Sequence, residues 1–177
     1  AAEDLREYDP VQFRQVVDEL AAADLVVADA DHARVLGAYP LTTETTDHRL
    51  EVDGVPLFAM CAVDALAVAP VTGSRVLIDS RCAVSGAAVR IRQDGDTLDL
   101  AEPAGLQVGI AWQDTGDCAA HSLCRDMVFL RDAPTAAQWR EAGEDMRDTY
   151  DLSQALALAR QFFLPLTIEP GQTTTTP

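Results

Sequence analysis

The sequence predicts an α+β fold, with a mixed or antiparallel β-sheet core and flanking helices. Three observations carry this. Short apolar runs separated by Gly-containing turns fill the middle of the chain, a few helical patterns lie before, among and after them, and 177 residues suffice for about one domain with room for a small appended region. Asp9-Pro10 gives an N-cap followed by proline at the first helical position, and Phe13, Val16, Val17 and Leu20 then recur at i, i+3, i+4 and i+7, the spacing of a short amphipathic helix. In LVVADADHARVLGAYPLT, two apolar runs around Val26 and Val35 flank a polar turn and predict a hairpin. The polar stretch TTETTDHRLEVDG leads into a strand at HRLEV and a turn at Asp53-Gly54. Leu57 to Ala69, rich in alanine and leucine and followed by Pro70, predicts a helix. SRVLIDSRCAVSG, AAVRIRQDGDTLDL, AGLQVGIAW and LCRDMVFL predict strands, Pro134 to Met146 a surface helix, and Leu152 to Leu164 a more apolar one. The terminal GQTTTTP is low in complexity and predicts a disordered tail.

Charge narrows the function. The 29 acidic residues outnumber 13 basic ones, and the net charge of −16 repels phosphate backbones and anionic lipid surfaces. The helix and hairpin at the N-terminus resemble part of a winged helix. Without a basic recognition helix they are expected to serve as a packing platform or lid, not to bind DNA. All 13 basic residues are arginine, which removes Schiff-base and pyridoxal-phosphate chemistry and a P-loop, each of which needs a lysine amine. No run of 18 apolar residues and no signal-peptide pattern is present, so no membrane association and a cytoplasmic setting are the default expectations. In that setting Cys61, Cys82, Cys118 and Cys124 remain thiols unless they bind metal or do chemistry.

LFAMCAVDAL, residues 57–66, places a thiol and a carboxylate three apart inside an apolar run. On a helix Cys61 and Asp64 share a face, and near the first turn the dipole favours a thiolate. The sulfur is then a soft ligand and nucleophile, and Asp64 can take its proton and deliver it elsewhere. A lone cysteine is more often a buried apolar filler, but an aspartate amid alanine and valine needs a partner or a function. Cys124 serves equally as core filler or as a second thiolate opposite Cys61; spacing does not choose. Cys82, where a strand enters a turn, is most simply structural. Cys118, His121 and Cys124 form C-x₂-H-x₂-C, one ligand short of a closed zinc site and outside a knuckle-like setting, which weighs against zinc. Six residues separate Cys118 from Cys124, which is not the C-x-x-C spacing of a redox pair.

LFAMCAVDAL, SRVLIDSRCAVSGAAVRI, AEPAGLQVGIAW and LCRDMVFLRDAPTAAQW together resemble, in order and interval, the alkylmercury (organomercurial) lyase family over roughly residues 50 to 165. The resemblance implies a shortened winged-helix-like region over 1–48, a catalytic domain over 49–168 and a tail over 169–177. It implies that Cys61 and Cys124 are the mercury-binding thiolates, that Asp64 handles the proton and also faces the metal, and that Cys82 is structural. Met60 stands where an aromatic residue commonly precedes the first cysteine, Arg125 where another cysteine often follows the second, and Cys118 has no counterpart. The implied reaction is protonolysis of a carbon–mercury bond, giving a hydrocarbon and thiolate-bound Hg(II) without a required cofactor. The implied partners are an organomercurial substrate and, for product removal, low-molecular-weight thiols or a mercuric reductase. A soft-metal binder or sensor for Hg, Cu or Zn on the same scaffold is the alternative; a carboxylate beside the thiol favours catalysis. Nothing in the sequence selects between monomer and dimer.

Overall fold

The computed structural model describes residues 9–112, 118–143 and 145–167, so the expected tail at 169–177 lies outside the described residues. Helix α1 (Pro10–Ala22) starts at the Asp9-Pro10 signal and buries Val17. Strands β1 (Val26–Ala28) and β2 (Val35–Ala38) form the predicted antiparallel hairpin. The two-residue strand β3 (Leu41–Thr42) pairs with β2 on one side and with β5 (Val55–Ala59) on the other, which makes the hairpin continuous with the main sheet. Strand β4 (Arg49–Val52) joins β5 through Asp53 and Gly54, both at positive φ (48° and 84°), the backbone that a two-residue hairpin turn requires. Strands β6 (Arg75–Arg81), β7 (Ala88–Asp94) and β8 (Thr97–Glu102) complete an eight-stranded sheet of order β1-β2-β3-β5-β4-β6-β7-β8. A second sheet, β10-β9-β11, is built from β9 (Gln107–Trp112), β10 (Met127–Leu130) and β11 (Met146–Asp151). All paired strands are antiparallel, and a single parallel bridge, Cys82 to Phe129, links the two sheets. The α+β architecture is as the sequence predicts.

Helix α2 (Ala62–Thr72) runs through the core, touching strands of both sheets and helix α4 (Leu152–Phe163). Every residue from Ala62 to Ala69 is buried. Full burial of each Leu or Val side chain contributes about 1.5–3 kcal/mol, so an apolar helix with no polar face is stable only in such a position. Two differences from the sequence reading matter here. Leu57 to Ala59 belong to β5, because the tight turn at Asp53-Gly54 sets their register against β4; the helix begins only after Cys61, its N-cap. Pro70 does not end the helix either. It lacks the N–H that would bond the Leu66 carbonyl, and the buried Gln93 side chain of β7 supplies the missing donor (Nε2 to Leu66 O, 3.1 Å), so the helix continues to Gly73 in the left-handed conformation.

Other boundaries also shift. Leu123–Asp126 is a short 3₁₀ helix, with strand only from Met127 onward. Helix α3 (Ala133–Glu141) is closed by a capping box between Asp132 and Thr135 and ends five residues before the predicted limit. The charged Met146–Asp151 is an edge strand against β9, held by tertiary pairing despite weak local propensity. Helix α4 opens with a second capping box, Asp151 with Gln154. Among the described residues no helix is long and apolar enough to cross a membrane.

Candidate active site

The N-terminus of α2 brings Cys61 and Asp64 together. Cys61 is extended (φ −149°, ψ −179°) and caps the helix with sulfur in place of oxygen, its Sγ accepting the backbone N–H of Asp64 at 3.3 Å. Cys124, in the 3₁₀ helix before β10, comes to the same point from 63 residues beyond Cys61 in the chain. One ligand atom from each of Cys61, Asp64 and Cys124 lies within 4.8 Å of the other two. All three side chains are buried, with exposures of 0%, 2% and 7% respectively. Among the described residues no other set of three or more potential ligands is assembled, so Cys118 and His121 do not gather with Cys124 into a metal cluster.

Burial governs the protonation of this group. It pushes the Cys61 thiol well above its ordinary value, reinforced by the neighbouring Cys124 and Asp64 and only partly opposed by the Asp64 N–H. Burial likewise raises the Asp64 carboxyl to about 7, with hydrogen bonds to Cys61 acting in the opposite direction. The helix N-terminus favours the anions, but desolvation wins. The Cys61 S–H has acceptors in reach in Met127 Sδ at 3.6 Å, the Asp64 carboxylate and the Cys124 sulfur. Asp64 Oδ2 is buried with no hydrogen-bond partner, an expensive arrangement for an idle carboxylate.

A cavity of about 210 Å³ opens beside the trio. Asp64 and Cys124 line it, together with Val63, Leu123, Met127 and Phe163; Leu25, Phe162 and Leu166 form its more exposed part. Cys61 sits behind this wall. An apolar cavity of about 150 Å³ accepts benzene, so the space suits a small alkyl or aryl group.

This sequence and fold have known counterparts. The family model "MerB: Alkylmercury lyase" matches residues 41–164. The chain belongs to the alkylmercury lyase family. An alkylmercury lyase of Staphylococcus epidermidis is 32% identical over 128 residues, covering 72% of this chain and 57% of that protein. One from Streptomyces lividans is 29% identical over 150 residues, 82% of this chain and 69% of the relative. The chain thus spans little more than half the length of the first of these. The solved mercury-bound form of MerB2 superposes with a TM-score of 0.75 at 24% identity over 87% of this chain and 75% of its own, a likeness of fold.

Cys82 lies apart from the trio. It is buried at the bridge between the sheets, where its Sγ accepts the backbone N–H of Arg131 at 3.4 Å. Burial acts to raise its pKa, but hydrogen bonds from Ser85, Arg131 and Val84 together hold it below the ordinary thiol value. Met127, Tyr39, Asp24 and the α4 aromatics gave no sequence signal. Their neighbours in the chain are ordinary, and only the tertiary fold places them at the site.

Proposed function

We propose that this protein cleaves the carbon–mercury bond of organomercurials by protonolysis, with Cys61 and Cys124 as mercury ligands and Asp64 as proton carrier. The observation that carries the reading is the convergence within 4.8 Å of two thiols and a buried carboxylate, one of whose oxygens, Oδ2, has no hydrogen-bond partner, beside an apolar cavity. Mercury(II) is soft and prefers thiolate to oxygen or nitrogen ligands. Cys124, at the cavity wall, makes the first sulfur–mercury bond to R–Hg–X, and its proton leaves with X as HX. Cys61 then closes from behind. Its thiol proton passes to Asp64, whose pKa near 7 lets it accept and return a proton at neutral pH. With two thiolates bound, the carbon is electron-rich and takes the proton from Asp64, releasing R–H and leaving mercury(II) on Cys61 and Cys124. The balance is R–Hg–X plus two thiols to R–H, a dithiolate mercury complex and HX.

The residues carry proton and metal themselves, and the route invokes no resident cofactor. Product leaves by exchange with an outside thiol, from a small molecule or a mercuric reductase. A cytoplasmic setting, where thiols stay reduced, suits this exchange. Residues 1–48 form the appended region and 49–168 the catalytic unit in this reading.

The test is single-turnover hydrocarbon release with excess free thiol, alongside a count of bound mercury. Wild type is expected to release hydrocarbon. Asp64→Asn keeps both sulfurs and so should retain stoichiometric capture while release falls by about 10²–10⁴. Unchanged release from Asp64→Asn removes the proton role. A wild type that binds mercury but releases nothing leaves a soft-metal binder.

A further inference from the structure

The segment that carries Cys124 has little regular structure of its own. It consists of two 3₁₀ helices, Ala119–His121 and Leu123–Asp126, held locally by single-turn bonds such as Ser122 N–H to Ala119 O and Arg125 N–H to Ser122 O. Two further bonds come from far away in sequence. Asp24, at the end of the turn after α1, accepts the Ala119 N–H on Oδ2 at 3.0 Å. Tyr39, at the end of β2, accepts the Ala120 N–H on its hydroxyl at 2.7 Å and donates that hydroxyl to Asp24 Oδ1 at 3.3 Å. Four groups therefore close one network across 95 residues of chain. Asp24 itself stands at positive φ, 53°, in the left-handed conformation that aspartate and asparagine adopt more readily than other non-glycine residues.

Asp24 and Tyr39 also line the cavity with Asp64 and Cys124. Tyr39 is close enough to the site that the charges of Cys124, Asp24 and Cys118 add to burial in raising its pKa, so the phenol stays neutral and keeps its proton for Asp24. Both residues precede the stretch 41–164 that matches the family. They belong to the helix-and-hairpin region, whose sequence pattern resembled a DNA-binding element.

We propose that Asp24 and Tyr39 form a clamp by which the N-terminal region holds the Cys124 segment against Cys61, so that the second mercury–sulfur bond depends on residues outside the matched family stretch. These are positioning residues: they bond the Ala119 and Ala120 backbone, and Cys124 does the chemistry. The clamp rests on the two-thiolate reading of the site, and it is tested without requiring cleavage. A pair of thiolates holds mercury tightly only if both sulfurs reach it without rearrangement of the chain, and a 3₁₀ segment without distant anchors spends less time in the reactive arrangement.

The experiment measures retention of inorganic Hg²⁺ by the full chain against a competing monothiol, for wild type, Tyr39→Phe, Asp24→Asn, Cys124→Ser and the Tyr39→Phe/Cys124→Ser double variant, with single-turnover hydrocarbon release from a phenylmercury salt in parallel. Tyr39→Phe keeps the ring and loses only the hydroxyl; retention is expected to fall about tenfold, as for loss of a buried hydrogen-bonding group. Asp24→Asn, which keeps the shape and one carbonyl acceptor, is expected to fall less. In the Cys124→Ser background Tyr39→Phe should change nothing further, because the clamp acts through Cys124. Equal loss in both backgrounds shows a general structural effect and overturns the proposal, as does wild-type retention by Tyr39→Phe. A clamp effect on Hg²⁺ retention in a protein that releases no hydrocarbon supports the clamp and ends the lyase reading.

Discussion

Cys61 and Cys124 are the same residue type at the same site, held in two contrasting ways. Cys61 caps a helix that is buried on every side, and its three-residue spacing to Asp64 is set by the backbone alone. Cys124 sits in a short 3₁₀ turn between β10 and the preceding turn Ala119–His121, whose backbone N–H groups are bonded by Asp24 and Tyr39. The contrast separates the work. In the proposed reaction the rigid half fixes the geometry of sulfur and carboxylate for proton transfer, and the tertiary half, which lines the cavity, is the one that meets the substrate.

The largest expected effect comes from removing each sulfur in turn. Cys61→Ser and Cys124→Ser should both reduce hydrocarbon release to background, since a hydroxyl is a hard, weakly acidic ligand that cannot replace thiolate toward mercury. Their capture should differ. Cys61→Ser leaves Cys124 exposed to the cavity, so one equivalent of organomercurial still binds promptly. Cys124→Ser leaves the fully buried Cys61 as the site's only thiol, and capture should slow markedly when both variants are compared in a Cys118→Ser background, which removes the partly exposed thiol outside the site. Stopped-flow mixing of each variant with an organomercurial, read by loss of titratable thiol, measures this. Equal capture rates would mean that both sulfurs meet the substrate alike. Serine is also a good N-cap, so Cys61→Ser should keep α2 intact, which circular dichroism checks.

How far this division could be read from the sequence follows the same line. The pair Cys61 and Asp64 was visible because its geometry is local: i, i+3 on a helix needs no knowledge of the rest of the fold. The helix start was misplaced by five residues, since β5 was captured by strand pairing that no local pattern announces. Cys124 was ambiguous between core and ligand for the same reason, and family resemblance was needed to choose. Asp24 and Tyr39 were invisible, because their partners are backbone N–H groups 95 and 81 residues away. The hairpin is legible from its two apolar runs around a polar turn, since its pairing is local. The Pro70 stop failed because Gln93 replaces the missing donor from another element.

A second prediction concerns the carboxylate of the rigid half. Asp64 has a pKa of about 7 in the folded protein against 3.8 unperturbed, so the folded state holds its proton more tightly than the unfolded chain does. The sign follows from linkage. Below pH 4 both states are protonated and the group contributes no penalty; as pH rises from about 4 to 7 the unfolded chain ionises first, and stability declines by up to about 4 kcal/mol, remaining low above that. Asp64→Asn should remove this part of the slope. Urea unfolding of the mercury-free protein at pH 5 and pH 8 reads the difference, and a wild-type and Asn variant with parallel pH dependence would show that Asp64 is not desolvated as described. Release in single turnover should show the opposite trend, rising through pH 7 as Asp64 becomes able to accept the Cys61 proton.

The smallest expected effect sharpens the comparison from outside the site. Gln93 is fully buried on β7 and donates to the Leu66 carbonyl that Pro70 leaves free, and also to the Gly95 carbonyl at 3.0 Å. Gln93→Met is close in volume and removes the amide, so it orphans a buried helix carbonyl at a cost of about 1–3 kcal/mol. Cys82→Ser is the matching change behind the other half. It puts a hydroxyl where a buried thiol accepts the Arg131 N–H, at the bridge to Phe129 that anchors the strand following Cys124. Its cost should also be on the order of 1 kcal/mol, because the hydroxyl can accept the same N–H but is smaller and more polar than the thiol. The two substitutions are predicted to be similar in stability and to differ in consequence. Helix α2 is buried from Ala62 to Ala69, so loss of one carbonyl partner at Leu66, in the middle of the helix, should leave the Cys61–Asp64 spacing and hydrocarbon release unchanged. The Cys124 half depends on several separated anchors, so loosening one of them should weaken mercury retention measurably while turnover persists. Chemical denaturation paired with the monothiol competition assay reads both quantities. If Gln93→Met loosened mercury and Cys82→Ser did not, the rigid and the tertiary halves would have to be exchanged.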